Sequence, residues 1–148
     1  WSAIWMLPEH DNYGPYPQSG EIDIAEVVNL GARCRFCRGG REHRVHGAIH
    51  HGWSLDANRQ IGGSRPLPPT VDGFHVFALD WSPARMTWSV DDEAYFSTPG
   101  RRPFDQRFHL ILNLAVGGSW PESHNARGVD DAALPATMEI DWVRVYEN

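Results

Sequence analysis

Apolar and polar positions alternate with a period of two along most of this chain, and the runs are short. Strand-like segments fall near residues 1–7, 21–29, 44–51, 73–81, 85–90, 94–97, 107–116 and 137–146, separated by clusters of Gly, Pro, Asp and Asn. This spacing predicts an all-β, antiparallel sandwich. Met86-Thr87-Trp88-Ser89-Val90 and Ala94-Tyr95-Phe96 flank Asp91-Asp92-Glu93, which reads as a tight hairpin. Gly62 to Thr70, with Pro66, Pro68 and Pro69, reads as a surface loop. No long helix is expected, and Asp130 to Ala133 makes at most one short turn before Pro135.

One segment combines this pattern with chemistry. In Glu21-Ile22-Asp23-Ile24-Ala25-Glu26, the first two acids share one face of an extended strand and the isoleucines share the other. Glu26 is out of phase. A regular strand would turn it to the apolar face, where an unpaired charge is costly, so a bulge near Ile24-Ala25 is expected to restore the phase. The two glutamates then lie about 13 Å apart at Cα, and their side chains must lean inward. Cleavage of a glycosidic bond needs one protonated and one ionised carboxyl, and close-set acids drive their titrations apart. The same alternation also fits a half-exposed strand whose acids are merely solvated.

The flanking motifs separate these readings. The chain resembles glycoside hydrolase family 16, in particular its laminarinase-like, bulged branch. The resemblance rests on Trp1-Ser2-Ala3-Ile4-Trp5-Met6-Leu7-Pro8, Gly20-Glu21-Ile22-Asp23-Ile24-Ala25-Glu26, Gly47-Ala48-Ile49-His50-His51-Gly52, Phe74-His75-Val76-Phe77-Ala78-Leu79-Asp80-Trp81, Leu112-Asn113-Leu114-Ala115-Val116-Gly117-Gly118-Ser119-Trp120-Pro121 and Asp141-Trp142-Val143-Arg144-Val145-Tyr146. The blocks stand in the family's order and span nearly the whole chain.

The resemblance implies a curved jelly roll of the concanavalin A type whose concave sheet forms an open groove. It implies Glu21 as nucleophile, Glu26 as general acid/base and Asp23 as the residue assisting Glu21. Sugar rings present apolar faces that flat aromatic walls accommodate. Trp1, Trp5, Tyr16 and Trp120 are the candidates, whereas Trp81, Trp88 and Trp142 read as packing. Tyr16 departs from the tryptophan that the family commonly has there, and offers a smaller stacking face. Asn113 and His50 are candidates for hydrogen bonds to sugar hydroxyls or to the acids. Asp141 matches an aspartate that in many relatives helps to hold a structural calcium. Its partners in those relatives lie outside this chain, so weak or no calcium binding is expected, with an ordinary surface acid as the alternative. Catalysis by the acid pair requires no cofactor.

Length and charge narrow the picture further. With 148 residues and 41% hydrophobic content there is material for one core. Family members carry several strands before the first tryptophan block, so residues 1–148 are expected to be the C-terminal part of a single catalytic domain, incomplete at its N-terminus. A fragment of that kind would leave sheet edges and apolar faces uncovered. The net charge of -6 disfavours nucleic acid, and no apolar run is long enough to span a membrane as a helix. The expected partner is a neutral β-glucan, met by a secreted monomer. Cys34 and Cys37 stand three apart; free thiols are favoured over a local disulfide, and a metal site with His43 and His46 is disfavoured because finger-type spacing is lacking.

The favoured function is that of a retaining endo-β-glucanase acting on β-1,3 linkages. The rivals are a non-catalytic glucan-binding module, which would not need the intact acids, and the same chemistry on mixed-linkage glucan or agarose.

Overall fold

A computed structural model describes residues 1–67, 73–123 and 128–147, with only the backbone of Arg38. Eight strands form, at Ser2–Pro8 (β1), Glu21–Val27 (β2), Arg44–His51 (β3), Arg59–Pro66 (β4), Phe77–Trp81 (β5), Arg85–Val90 (β6), Glu93–Pro99 (β7) and Phe108–Leu114 (β8). They make a five-stranded sheet in the order β4-β3-β2-β1-β8 and a three-stranded sheet in the order β5-β6-β7. All pairings are antiparallel. The sheets face each other, with β7 against β4 and β5 against β2, so the chain is the all-β sandwich that its alternation predicts.

The core lies between the sheets. Ile22 on β2, Ile49 on β3 and Met86 and Trp88 on β6 are fully buried and pack with Phe104; a second cluster joins Ala25, Val45, Leu67 and Val90. Each such side chain contributes about 1.5–3 kcal/mol by leaving water. Trp88 also reaches across the core, and its Nε1–H donates to the main-chain oxygen of Asp23 at 2.8 Å. That approach needs Gly47, where a Cβ would come within 2.5 Å of both Trp88 and the Tyr95 hydroxyl. The core thus grips the acid-bearing strand from behind.

The tight hairpin forms as expected. Asp91 and Asp92, both with positive φ, make the two-residue turn between β6 and β7. Asp91 is held there by accepting hydrogen bonds from the Val76 backbone N–H at 2.9 Å and contacting His75 Nδ1 at 2.8 Å. Asp131–Ala133 forms a 3-10 turn, capped by the Asp130 carboxylate, which accepts from Ala132 N–H.

Three expectations need correction. Residues 62–66 belong to β4 rather than to a loop, because β4 pairs with β3 along its whole length through its backbone; Pro68 to Thr70 lie outside the described residues. Residues 137–146 form no strand, since no strand of the described chain pairs with them. Trp142 consequently is 46% exposed, with the Arg144 guanidinium 4.5 Å from its ring centroid, instead of packed in a core. Finally, Cys34 and Cys37 are joined as a disulfide rather than free.

Candidate active site

The register of β2 settles where its three acids point. Against β1, Asp23 pairs with Trp5 and Ala25 with Ile4, which leaves Ile24 without a partner; against β3, Asp23 pairs with Ala48 and Glu26 with His46. One extra residue therefore sits in β2 at Ile24-Ala25, where the phase demanded it. Ile22 and Ala25 enter the core, and Glu21, Asp23 and Glu26 share the opposite face of the five-stranded sheet. Gly20 sets the entry to the strand: its φ is +82°, and a Cβ there would meet the Phe104 ring at 2.7 Å.

The neighbours on this face come from the strands on either side. Trp1 Nε1–H donates to Glu26 Oε1 at 3.0 Å, and Trp5 Nε1–H donates to Asn113 Oδ1 at 2.7 Å. Trp120, on the short helix Ser119–Ser123 (α1), meets Trp1 edge-on at 5.3 Å and His46 at 5.1 Å between ring centroids. The three tryptophans and Asn113 named from sequence are thus brought together with the acids. Tyr16 stands at the other end, 41% exposed, its hydroxyl accepting from Asn58 Nδ2 at 3.2 Å. Beside it opens a cavity of about 450 Å³ lined by Leu7, Asp11, Tyr16, Glu21 and His109. A second hollow of about 350 Å³, lined by His46, Gln60, Gly62 and Ser64, lies toward β4.

His50 pairs with Glu21 across the strands and places Nε2 3.2 Å from Asp23 Oδ2. The contact becomes an ion pair when the imidazole is protonated, and the Asp23 side chain is only 2% exposed; His50 Nδ1 is buried with no hydrogen-bond partner among the described residues. Burial opposes charge on His50, but hydrogen bonding to Asp23 and the charges of Asp23, Glu21 and Glu26 raise its pKa overall.

The two glutamates respond in the opposite sense to ordinary surface acids. Burial, then the charge of Asp23, raises Glu21 to about 7, against relief from His50. Glu26 is also raised to about 7, first by burial and then by Asp23, with the Trp1 hydrogen bond pulling the other way. Neither holds its charge easily while the others hold theirs, and the set titrates as a unit. Such a set keeps a proton available near neutral pH and keeps a carboxylate beside it.

Two clusters of ligand-type side chains occur among the described residues, Glu21-Asp23-His50 and Cys34-Cys37-Glu42. The second is not a thiolate site, since both sulfurs are bonded to each other. Asp141 belongs to neither and is exposed in the unpaired segment, with no such cluster round it among the described residues. His109 and Asp11 went unnoticed in the sequence, and His46 was weighed there only as a metal ligand beside the cysteines. Both histidines were within reach as site residues: His46 shares the face of His50 at even spacing on β3, and His109 shares that of Asn113 on β8.

Residues 1–144 match glycosyl hydrolases family 16. The chain is 41% identical over 160 residues to a beta-glucanase of Rhodothermus marinus, covering 99% of this chain and 51% of that protein. It is 39% identical over 162 residues to a glucan endo-1,3-beta-glucosidase of Cryptopygus antarcticus, covering 99% and 56%. Among solved structures it is similar to the laminarinase from Rhodothermus marinus, with a TM-score of 0.72 and 40% identity over 91% of this chain and 54% of that one. The chain spans about half the length of these relatives.

Proposed function

The chain belongs to glycosyl hydrolase family 16, and from that premise we propose that it carries the catalytic residues of a secreted, retaining endo-glycosidase that hydrolyses internal β-1,3 bonds of laminarin-like glucans. The observation that carries this reading is the bulge that gathers Glu21, Asp23 and Glu26 on one face between Trp1, Trp5 and Trp120. The names of the two relatives, both glucan-cleaving, support the substrate class.

In this mechanism Glu26, protonated, gives its proton to the glycosidic oxygen as the bond to the anomeric carbon breaks. Glu21, ionised, attacks that carbon and forms a glycosyl ester. Glu26, now a carboxylate, takes a proton from water, which attacks the same carbon, releases Glu21 and restores the original configuration. Asp23 orients Glu21 and, with His50, sets how many negative charges the site holds. Trp1 fixes the Glu26 carboxyl by its indole N–H, and the indoles of Trp5 and Trp120 supply flat walls for sugar rings. The hollows at the Glu21 end and toward β4 leave the groove open, which suits cutting within a polymer.

Reducing-sugar release from laminarin, lichenan and agarose tests the reading, with the chain carried to the length of its relatives. Laminarin is expected to be cut fastest, and Glu21→Gln and Glu26→Gln each to lower the rate by at least about 10²–10⁴-fold. Wild-type turnover by either variant contradicts the roles. Retardation of the protein in a laminarin gel without release from any polymer identifies a binding module instead.

A further inference from the structure

The loop between β2 and β3, residues 28–43, departs in charge from the rest of the chain. Arg33 to Arg44 contains five arginines and one glutamate, a net +4; with -6 overall, everything else carries -10. The single acid pairs with Arg44 at the root of the loop. Glu42 is buried, takes Arg44 Nε at 2.8 Å and Nη2 at 2.6 Å, and is held down to about 2 chiefly by that pairing. Arg33, Arg35 and Arg41 are exposed and form no ion pair with a carboxylate among the described residues.

The loop is also shaped. The Cys34–Cys37 disulfide, the bridge between Arg33 and Arg41, and backbone hydrogen bonds from Gly31 to Glu42, Glu42 to Ala32 and Cys34 to Gly40 hold its two limbs together. At its tip Phe36 is 93% exposed, with the Arg35 guanidinium 5.7 Å from its ring centroid. At its root the Asn29 side-chain amide donates to Pro121 O at 2.8 Å, which ties the loop to the helix bearing Trp120. The strands on either side carry Glu26 and His46 straight into it.

We propose that this disulfide-pinned loop is a second carbohydrate-binding surface, at the Trp120 end of the groove, that takes an anionic, carboxylate-bearing polysaccharide. A guanidinium fork matches a carboxylate, and an exposed aromatic face matches a sugar ring. Elsewhere the chain carries a net -10, so on balance attraction for a polyanion comes from this loop. One aromatic ring amid arginines and glycines offers no apolar face for insertion into a lipid surface. The groove supplies continuity with a polysaccharide rather than with nucleic acid. The proposal is independent of the catalytic reading, because binding is read without turnover.

Affinity electrophoresis through gels containing polygalacturonate tests it, with neutral laminarin, duplex DNA and phosphatidylglycerol vesicles as comparison arms. The protein is expected to be retarded by polygalacturonate at low salt and released at about 0.5 M salt, where screening is nearly complete. The double variant Arg33→Gln/Arg35→Gln should bind polygalacturonate at least about tenfold more weakly, with its thermal transition and its retardation by laminarin unchanged. Equal retardation of variant and wild type overturns the proposal, as does no retardation of the wild type. Capture by the vesicles or DNA with none by polygalacturonate overturns it as well. The salt series on the unmodified protein gives an independent reading should the variant fold poorly: retardation that salt leaves unaltered also counts against it.

Discussion

Burial, then the charge of Asp23, raises Glu26 to about 7 in the folded state, against an ordinary value of 4.5. Between those two pH values the unfolded chain has lost a proton that the folded one keeps, so this group makes the fold less stable as pH rises from about 4.5 to 7. The loss, on the order of 3 kcal/mol, is complete above 7 and absent below 4.5. Gln has the shape of the acid, keeps an oxygen for the Trp1 N–H, and carries no charge. Glu26→Gln is therefore expected to raise the melting temperature at pH 8 by several degrees, about 2–4 °C per kcal/mol, and to leave it unchanged at pH 4. Calorimetry at both pH values checks this; an unchanged or lower value at pH 8 contradicts the account of Glu26. The acids themselves were legible in the sequence because their type and spacing carry the chemistry. The Trp1–Glu26 and Trp5–Asn113 hydrogen bonds were not, since each joins strands whose order no local pattern dictates. The state of Cys34 and Cys37 was equally hidden, because a three-residue separation permits a bridge only in a turn that brings the two together.

Parity governs the strand that carries these acids. Glu26 stands five residues after Glu21, an odd number, and the unpaired Ile24 turns that into an even one. Removing Ile24 alone makes the spacing regular and keeps all three acids on the face opposite the core. Removing Ile24 and Ala25 together puts Glu26 toward the core, where a buried charge is costly. The single deletion is expected to fold and retain part of the laminarin hydrolysis, while the double deletion loses activity and melts lower. Equal loss of activity and stability in both contradicts the parity account. This bulge was readable because a charge on the wrong face is improbable on energetic grounds. Strand β4 was not readable: Arg59–Pro66 has Ile61 as its one large apolar residue, two glycines and a proline. It exists because β3 offers a complete row of backbone partners on its open side. Residues 137–146 show the converse, an apolar alternation without a partner strand.

Across the whole molecule, the acid-bearing face is well furnished while other surfaces are left apolar. Ile140, Trp142, Val143, Val145 and Tyr146 are exposed along one extended segment, and Val116 is 58% exposed just beyond β8. The 148-residue chain is therefore expected to bind a hydrophobic dye in its native state and to melt with low cooperativity. A sharp calorimetric transition without dye fluorescence contradicts that expectation. The sandwich class was legible in the periodicity, because two packed antiparallel sheets impose it. The strand order β4-β3-β2-β1-β8 was not, because it depends on which long-range pairs bury the most surface. A covalent trap reads out which of the gathered acids attacks the sugar. A 2-deoxy-2-fluoro laminaribiosyl donor with a good leaving group, incubated with a chain of the relatives' length, slows release of the glycosyl ester. Peptide mass spectrometry is then predicted to find the disaccharide on Glu21. No adduct, or an adduct on Asp23 or Glu26 instead, contradicts the assignment.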